Sequence, residues 1–465
     1  MRVCLILEGS YPYVHGGVST WMHQYIQEMP EIEFVLWTIC AKEENKGNFV
    51  YELPKNVVQV VELSLETSQP NPISFDLKQL SPEEMRQLRK LVALETPDWK
   101  ILFELCQSQR IPVPSFLESK IFFDWVQDMS RELYPNLSLA ELFHSRRSIL
   151  FPLLNLLASP IPEAHLYHAI STGYGGILAS LGSHMKAAPL LLTEHGIYTR
   201  EREEELLRAS WLPNAMKEHW IRFFHLLSGA IYQRAQTITS LFDAARLIQI
   251  QLGCPEERCR VIANGIDVPK FAAIAAKPSS DWLDIGAIIR LSPIKDVKTL
   301  LYAFMELSQD FPRARLHILG GEDDPEYAQE CYDLVKKLDL KQVRFTGRVS
   351  IIDYMAKLDL TVLTSLSEAQ PLSLLEAMAA GRPCVATDVG SCRELLQGGY
   401  HDSLGYAGLV VKPTDTSGLA RALAELLKDP NRRAEMGRVG KLRAQTYYQY
   451  PQMIEAYARL YKECI

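Results

Sequence analysis

The sequence of 465 residues is 47% hydrophobic, enough for more than one core, since single domains usually hold about 100 to 200 residues. Its net charge of −7 supplies no global basic field, which argues against polymer nucleic acid as a partner. The 9 cysteines are scattered without a Cys-x-x-Cys pair, so reduced structural thiols are expected, with no disulfide framework and no zinc site.

In chain order, the apolar run Val3–Leu7 is too short for a signal peptide and predicts a first buried strand. Further strands are predicted at Phe34–Ile39, Val57–Val61, Leu166–Ile170, Leu190–Thr193, Thr237–Thr239 and Arg260–Ile262. Between Leu65 and about Pro162 the periodicity is helical with proline breaks, which predicts a helical insertion over 65–162. Its most apolar part, Ser148–Pro162, is shorter than the ~20 residues that span a bilayer and reads as a buried helix.

The second half predicts strands at Ile285–Ile289, Leu316–Leu319, Val343–Thr346, Leu360–Leu363, Pro383–Ala386 and Gly408–Val411, separated by helical segments. Strands alternating with helices imply parallel sheets covered on both faces, an α/β class with doubly wound, Rossmann-like domains. The small, polar, proline-containing segment Ala273–Asp281 follows an Asn-Gly-Ile-Asp turn and reads as a linker, giving domains of 1–271 and 272–446. Met453, Ile454, Tyr457, Leu460 and Tyr461 recur at helical spacing, so 447–465 is expected to form a helix that packs back on the N-terminal domain.

The chemistry concentrates in Thr364–Gly390, TSLSEAQPLSLLEAMAAGRPCVATDVG. Glu368 falls in a loop after an apolar strand, Pro371 suits the first position of the next helix, and Glu376 lies on that helix near an N-terminus that attracts phosphate. Two carboxylates flanking an anion site suit the hydroxyls of a sugar and a ribose, whereas isolated glutamates would read as a turn acid and an exposed helix residue. Arg290 and Lys295, in IIRLSPIKD, stand at the carboxyl end of a strand, where two cations can grip a diphosphate. Gly16 and Gly17 follow the first strand and precede a helix, where their backbone can approach a ligand or simply form a tight turn. His195, in LLLTEHGIYTRERE, ends an apolar strand and is either a substrate partner or structural, with Glu194 and Arg200 as neighbouring candidates. The acidic cluster Glu322, Asp323 and Asp324 precedes a helix, and stabilisation of that helix's N-terminus accounts for it without a metal.

The whole segment from Glu368 to Gly390 resembles the E-x7-E signature of retaining glycosyltransferase family 4. The resemblance implies a GT-B fold, two Rossmann-like domains facing one another across a cleft, the second binding the donor. It implies that Glu368 touches the transferred sugar, that Glu376 holds the ribose, and that the stretch Ala369, Gln370, Pro371, Leu372 and Ser373 lines the donor. Arg290 and Lys295 match the cations that bind diphosphate in that family, Gly16 and Gly17 its donor-covering loop, and His195 its first-domain histidine. One departure is Ala369, where the family usually has glycine, the residue that permits positive φ and close backbone approach.

The implied activity is hexosyl transfer from a UDP-sugar with release of UDP, without a metal or other cofactor. The segments VCLILEGSYPYVHGGVSTWMHQYI and LLTEHGIYTRERE look like the PelF-type subgroup, which makes Pel exopolysaccharide. That likeness implies a growing bacterial polysaccharide as acceptor and cytoplasmic work beside an inner-membrane synthesis and export complex. A lipid, glucan or small-molecule acceptor, or a silent nucleotide-sugar-binding module, are the competing expectations.

Overall fold

The run Val3–Leu7 leaves no side for solvent, each residue being at most 1% exposed, so it lies at the centre of a sheet covered on both faces. In the computed structural model it is the middle of β1 (Arg2–Glu8), followed by β2 (Glu33–Cys40), β3 (Val57–Ser64), β4 (Leu166–Ala169), β5 (Leu190–Glu194), β6 (Thr237–Ser240) and β7 (Cys259–Val261). The structure describes residues 1–66, 80–210, 212–399 and 402–465, so positions 67–79 of the expected insertion lie outside the described residues. The first sheet has the order β3-β2-β1-β4-β5-β6-β7, with parallel pairing from β3 through to β6.

Among the described residues no strand falls between β3 and β4. Helices Pro82–Val92, Trp99–Gln107, Val113–Leu117, Lys120–Glu132 and Leu139–Leu157 occupy the interval. Their starts are set locally: Ser81 and Glu84 form a reciprocal capping box, and Asp98, Ser119 and Ser138 each accept from a backbone N–H of the first turn. Leu150, Leu153, Leu154 and Leu157 then join Trp37 and Ile39 of the sheet in one core, which explains the apolar stretch without a membrane. Among the described residues no helix is long and apolar enough to cross a bilayer.

The second sheet comprises β8 (Leu283–Ile288), β9 (Ala314–Leu319), β10 (Val343–Gly347), β11 (Leu360–Leu363), β12 (Cys384–Thr387) and β13 (Gly408–Val411), in the order β10-β9-β8-β11-β12-β13. All its pairings are parallel. In both sheets the strand order reverses once, between β1 and β4 and between β8 and β11, the arrangement of a doubly wound Rossmann-like domain.

The chain divides into one unit of Met1–Ser240, Arg246–Arg260 and Tyr457–Ile465 and another of Leu241–Ala245 and Val261–Ala456. The segment Ala273–Asp281 thus lies inside the second unit instead of dividing it from the first. Side chains anchor it there: Lys277 bonds the Trp282 carbonyl at 2.6 Å and pairs with Asp284 at 2.7 Å and Asp359 at 2.5 Å, while Arg382 donates to the Ala275 carbonyl at 2.7 Å. The last helix is Tyr450–Cys464, and its residues from Tyr457 onward belong to the first unit. There Tyr461 accepts from Tyr25 at 2.7 Å and bonds His168 Nδ1 at 2.7 Å, and His168 Nε2 bonds Thr193 at 2.8 Å, so a fully buried polar chain is satisfied from end to end.

Candidate active site

The reversal between β8 and β11 brings two loops together at the carboxyl edge of the second sheet. The loop after β8 carries Arg290 to Asp296, and the loop after β11 carries Thr364 to Pro371. Leu366 N–H donates to the Ile294 carbonyl at 2.8 Å and the Thr364 hydroxyl to the Lys295 carbonyl at 2.9 Å, which fixes one backbone against the other. Asp296 turns the chain with φ +45°, a left-handed conformation unusual for a residue with a side chain, and caps the helix Val297–Asp310 through Thr299 N–H.

These constraints set Lys295 Nζ 2.5 Å from Glu368 Oε1, and the Ser365 hydroxyl donates to the same oxygen at 2.6 Å. The two charged side chains are only 16% and 13% exposed, so each is the other's main compensation in a site largely removed from water. On the far side of the loop Thr387 donates to the Ser365 carbonyl at 2.6 Å and Ser391 N–H to the Ala369 carbonyl at 2.8 Å. Ala369 does not adopt a positive φ, so the backbone there accepts alanine without strain. The close approach falls instead at Gly390, whose φ is +53°.

Gln370 is 6% exposed, and its side chain is spent on the backbone: Oε1 accepts from Asn264 N–H at 2.6 Å and Nε2 donates to the Leu241 carbonyl at 3.4 Å. Its part in the loop is therefore to hold the chain. Pro371 stands one place before the helix Leu372–Ala379 as its N-cap, not at its first position. Leu374 and Leu375 N–H already point back to the Pro371 carbonyl, and no side chain caps the helix, so the Leu372 and Ser373 amides face outward from the first turn. Glu376 lies on the same helix, half-buried, and burial pushes its carboxyl up to about 7 against the pull of Lys270.

Arg290 and Lys295 do not converge on one partner here. Arg290 is exposed and pairs with Asp323, whose backbone N–H bonds the Leu291 carbonyl at 3.2 Å. The acidic cluster is engaged residue by residue: Asp324 caps the helix Pro325–Lys337 through Tyr327 N–H at 3.0 Å, and Glu322 accepts from the Tyr332 hydroxyl at 2.5 Å.

In the first unit, His195 follows β5 and lines a cavity of about 400 Å³ with Glu8, Ser10, Ser171, Glu194, Tyr198 and Arg202. The cavity opens where β1, β4 and β5 end, at that sheet's own reversal. His195 stands edge-on against Trp21, ring centroids 4.4 Å apart, and its buried Nε2 has no hydrogen-bond partner among the described residues. Burial pushes its pKa down to about 4, so the ring is neutral and offers one donor and one acceptor. Glu194 is 2% exposed; burial pushes its pKa up to about 7, against hydrogen bonds from Gln249 and Tyr232 to Oε2 at 2.9 Å each. Its other oxygen, Oε1, has no partner among the described residues. Glu8 takes the Gly175 N–H and the Tyr198 hydroxyl, both at 3.0 Å. Neither Glu8 nor Tyr198 stood out in the sequence, although a carboxylate closing the apolar run VCLIL is the available signal for Glu8.

Gly16 is the extended N-cap of the helix Gly17–Gln27, which has no side-chain cap, and a Cβ at Gly16 or Gly17 would meet nothing within 4 Å. The glycines thus leave open space over free helix N–H groups. A larger cavity, of about 1260 Å³, lies under Trp99, Leu190 and Gln236, at the start of β5 and β6. Ligands of open α/β sheets sit at the strands' carboxyl ends, so the smaller cavity is the substrate candidate.

Comparison with known proteins agrees with this division. Residues 1–257 match the model of a domain of unknown function, DUF3492, and residues 276–443 that of the glycosyl transferases group 1. The chain belongs to the DUF3492 family and carries a group 1 glycosyltransferase domain. It is 30% identical over 174 residues to N-acetyl-alpha-D-glucosaminyl L-malate synthase of Bacillus anthracis, covering 37% of this chain and 43% of that protein. It is 30% identical over 238 residues to D-inositol 3-phosphate glycosyltransferase of Kineococcus radiotolerans, covering 47% and 55%. The chain thus spans about half the length of the curated relatives it matches. Among solved structures, Anabaena HepE in complex with UDP superposes with a TM-score of 0.63 at 18% identity over 100% of both chains, a likeness of GT-B fold.

Proposed function

We propose that this DUF3492 protein is a hexosyltransferase that moves a sugar from a UDP-sugar to a growing bacterial exopolysaccharide of the Pel type, with retention at the anomeric carbon. The observation that carries the reading is the Lys295–Glu368 pair at the β8/β11 reversal, followed by the uncapped helix that bears Glu376. Lys295 and Arg290 bind the diphosphate, and the Leu372 and Ser373 amides add backbone donors. Glu376 accepts from the ribose hydroxyls and Glu368 from a sugar hydroxyl. HepE, of the same fold, was crystallised with UDP, which supports a uridine nucleotide as the donor's carrier.

Transfer breaks the bond between the anomeric carbon and the diphosphate oxygen and forms the new glycosidic bond on the same face. The acceptor hydroxyl's proton passes to the departing phosphate. Lys295 and Arg290 stabilise the charge that grows on that group, the role a metal fills in other transferases. Neutral His195, beside Glu8 and Glu194, offers one donor and one acceptor to a sugar hydroxyl. The work takes place in the cytoplasm, beside an inner-membrane synthesis and export complex.

Titration of the full chain with a panel of UDP-sugars, followed by NMR of the first-formed product from an α-linked donor, tests the reading. One UDP-sugar should bind and be slowly hydrolysed, and the product should keep the α configuration. An inverted linkage would overturn the mechanism, and transfer to a lipid or small molecule in preference to a polysaccharide would overturn the acceptor.

A further inference from the structure

A guanidinium stays charged under all conditions in which a protein is folded, so burying one without an anion or a ring of carbonyl oxygens is strongly unfavourable. Among the described residues two arginines are at 0% exposure, Arg443 and Arg146. Arg443 is fully answered: it pairs with Asp402 and donates to the carbonyls of Leu395 at 3.0 Å and Gly405 at 2.6 Å. Arg146, on the helix Leu139–Leu157, has among the described residues no hydrogen-bond partner for Nε, Nη1 or Nη2.

The surroundings of Arg146 are cationic. Its Cζ lies 5.8 Å from the Tyr134 ring centroid, and His219 packs edge-on against that same ring at 4.5 Å. His219 is 2% exposed, and its Nδ1 is likewise without a partner among the described residues. Arg222, one turn further along the helix Asn214–Arg234, adds its charge to both, and its Nε donates to the Leu94 carbonyl at 3.1 Å. Besides burial, the Tyr134 phenol and Arg222 act on Arg146, and Arg146 and Arg222 act on His219; no carboxylate among the described residues joins them. Burial and the two arginines hold the imidazole neutral, pushing its pKa down to about 4, so it presents one N–H.

We propose that Arg146, His219 and Arg222 form a binding site for a phosphate-class oxyanion in the first unit. Two permanent charges call for a dianion more than for a single carboxylate, and the planar guanidinium fork matches two phosphate oxygens. Tyr134, half-buried, and Arg222, exposed, give the side from which the anion enters. The site shares no residue with the cavity around His195, so it stands whether or not the sugar-transfer reading holds. Inorganic phosphate and the phosphate monoester of a small sugar share the required chemistry.

The test uses the full chain and the Lys295→Ala variant, which removes the cation proposed to take phosphate in the second unit. Melting is measured in inorganic phosphate and in chloride of equal ionic strength, and phosphate affinity by calorimetry. Phosphate should raise the melting midpoint by about 3 °C in both proteins, since a ligand that binds only the folded state stabilises it by mass action. Arg146→Met should lose that rise. Should it fail to fold, Arg222→Gln and His219→Ala carry the test and should weaken phosphate at least tenfold. In the Lys295→Ala protein, glucose 1-phosphate binding tenfold tighter than inorganic phosphate identifies an esterified ligand, and the reverse identifies the free ion; either supports the site. Equal melting in phosphate and chloride, a response abolished by Lys295→Ala, or one unchanged in both Arg222→Gln and His219→Ala overturns it.

Discussion

Gly390 passes so close to Glu368 that a Cβ on residue 390 would lie 2.1 Å from the Glu368 carbonyl oxygen and 2.4 Å from that of Ala369. Its φ of +53° adds the strain a side chain meets in the left-handed region. Gly390→Ala must therefore move the loop that carries Glu368. We expect sugar transfer to fall at least tenfold and stability to drop by more than about 1 kcal/mol. Ala369→Gly, by contrast, should leave both nearly unchanged. Melting and turnover of the two variants decide, and a fully active Gly390→Ala protein would show that the loop tolerates displacement.

The Lys295–Glu368 pair separates nucleotide binding from sugar binding. Lys295 is held by the Glu368 carboxylate, so Glu368→Gln frees the ammonium for a diphosphate. UDP affinity should stay level or rise a few-fold in that variant while turnover of the UDP-sugar falls. Lys295→Ala removes the diphosphate contact and strands Glu368 in a poorly hydrated site, so UDP should bind about 10- to 100-fold more weakly. Calorimetry with UDP reads both, and equal losses of UDP in the two variants would reject the assignment.

Glu376 predicts a pH dependence. Burial raises its pKa to about 7, so it is mostly protonated at pH 6 and mostly ionised at pH 8. The ionised form is the better acceptor for ribose hydroxyls, so UDP affinity should rise about tenfold across that interval. UDP's own phosphate titrates nearby, and Glu376→Gln isolates the protein's share by losing only the part due to the carboxyl. Identical pH profiles in the wild type and Glu376→Gln would exclude Glu376 from the ribose.

His195 predicts the opposite, an absence of titration. Its pKa near 4 keeps the ring neutral above about pH 5, and the charged form appears only as pH falls further. His195→Ala should slow transfer without altering UDP affinity, and the wild-type rate should show no inflection from this residue between pH 5.5 and 8. A limb near pH 6.5 that vanishes in His195→Ala would mean the ring is better hydrated than its packing on Trp21 implies.

The extent to which the sequence discloses this site follows the range of each interaction. The strands are legible because burial on both faces leaves uninterrupted apolar runs such as Val3–Leu7 and Leu360–Leu363. Glu368, Glu376 and Lys295 are legible because they lie within short, ordered motifs at strand ends. What stays hidden depends on contacts distant in sequence. Gln370 faces Asn264 and Leu241, and no local pattern distinguishes that from a donor contact. Segment 273–281 has a linker's composition but is fixed from outside it, by Asp284 holding its Lys277 and by Arg382 donating to its Ala275 carbonyl. Arg290 reads as half of a diphosphate clamp, and its pairing with Asp323 depends on where the loop after β9 returns.

The last prediction concerns stability and lies at the amino end of the second sheet, away from the ligand groups. Asp284, on β8, is 2% exposed and receives His317 at 2.7 Å, Arg315 at 2.6 and 2.8 Å and Lys277 at 2.7 Å. Burial alone would raise its pKa, but His317, Arg315 and Lys277 together hold the carboxyl well below the usual carboxylate range. Since the folded pKa is depressed, the stabilisation is fully present above the unfolded value near 4 and is lost as pH falls from there toward the folded value. Removing the carboxylate's charge leaves half-buried Arg315 without its anion and Lys277 with Asp359 alone, a loss of about 3 to 5 kcal/mol. Asp284→Asn should therefore lower the melting midpoint of the second unit by about 10 °C at pH 7. The gap between wild type and variant should narrow as pH drops below 4, because acid removes from the wild type what the substitution has already removed. Thermal melts of both proteins from pH 3 to 8 make the comparison. A gap that stays constant over that range would mean the network is held by shape and hydrogen bonding alone, independent of the Asp284 charge.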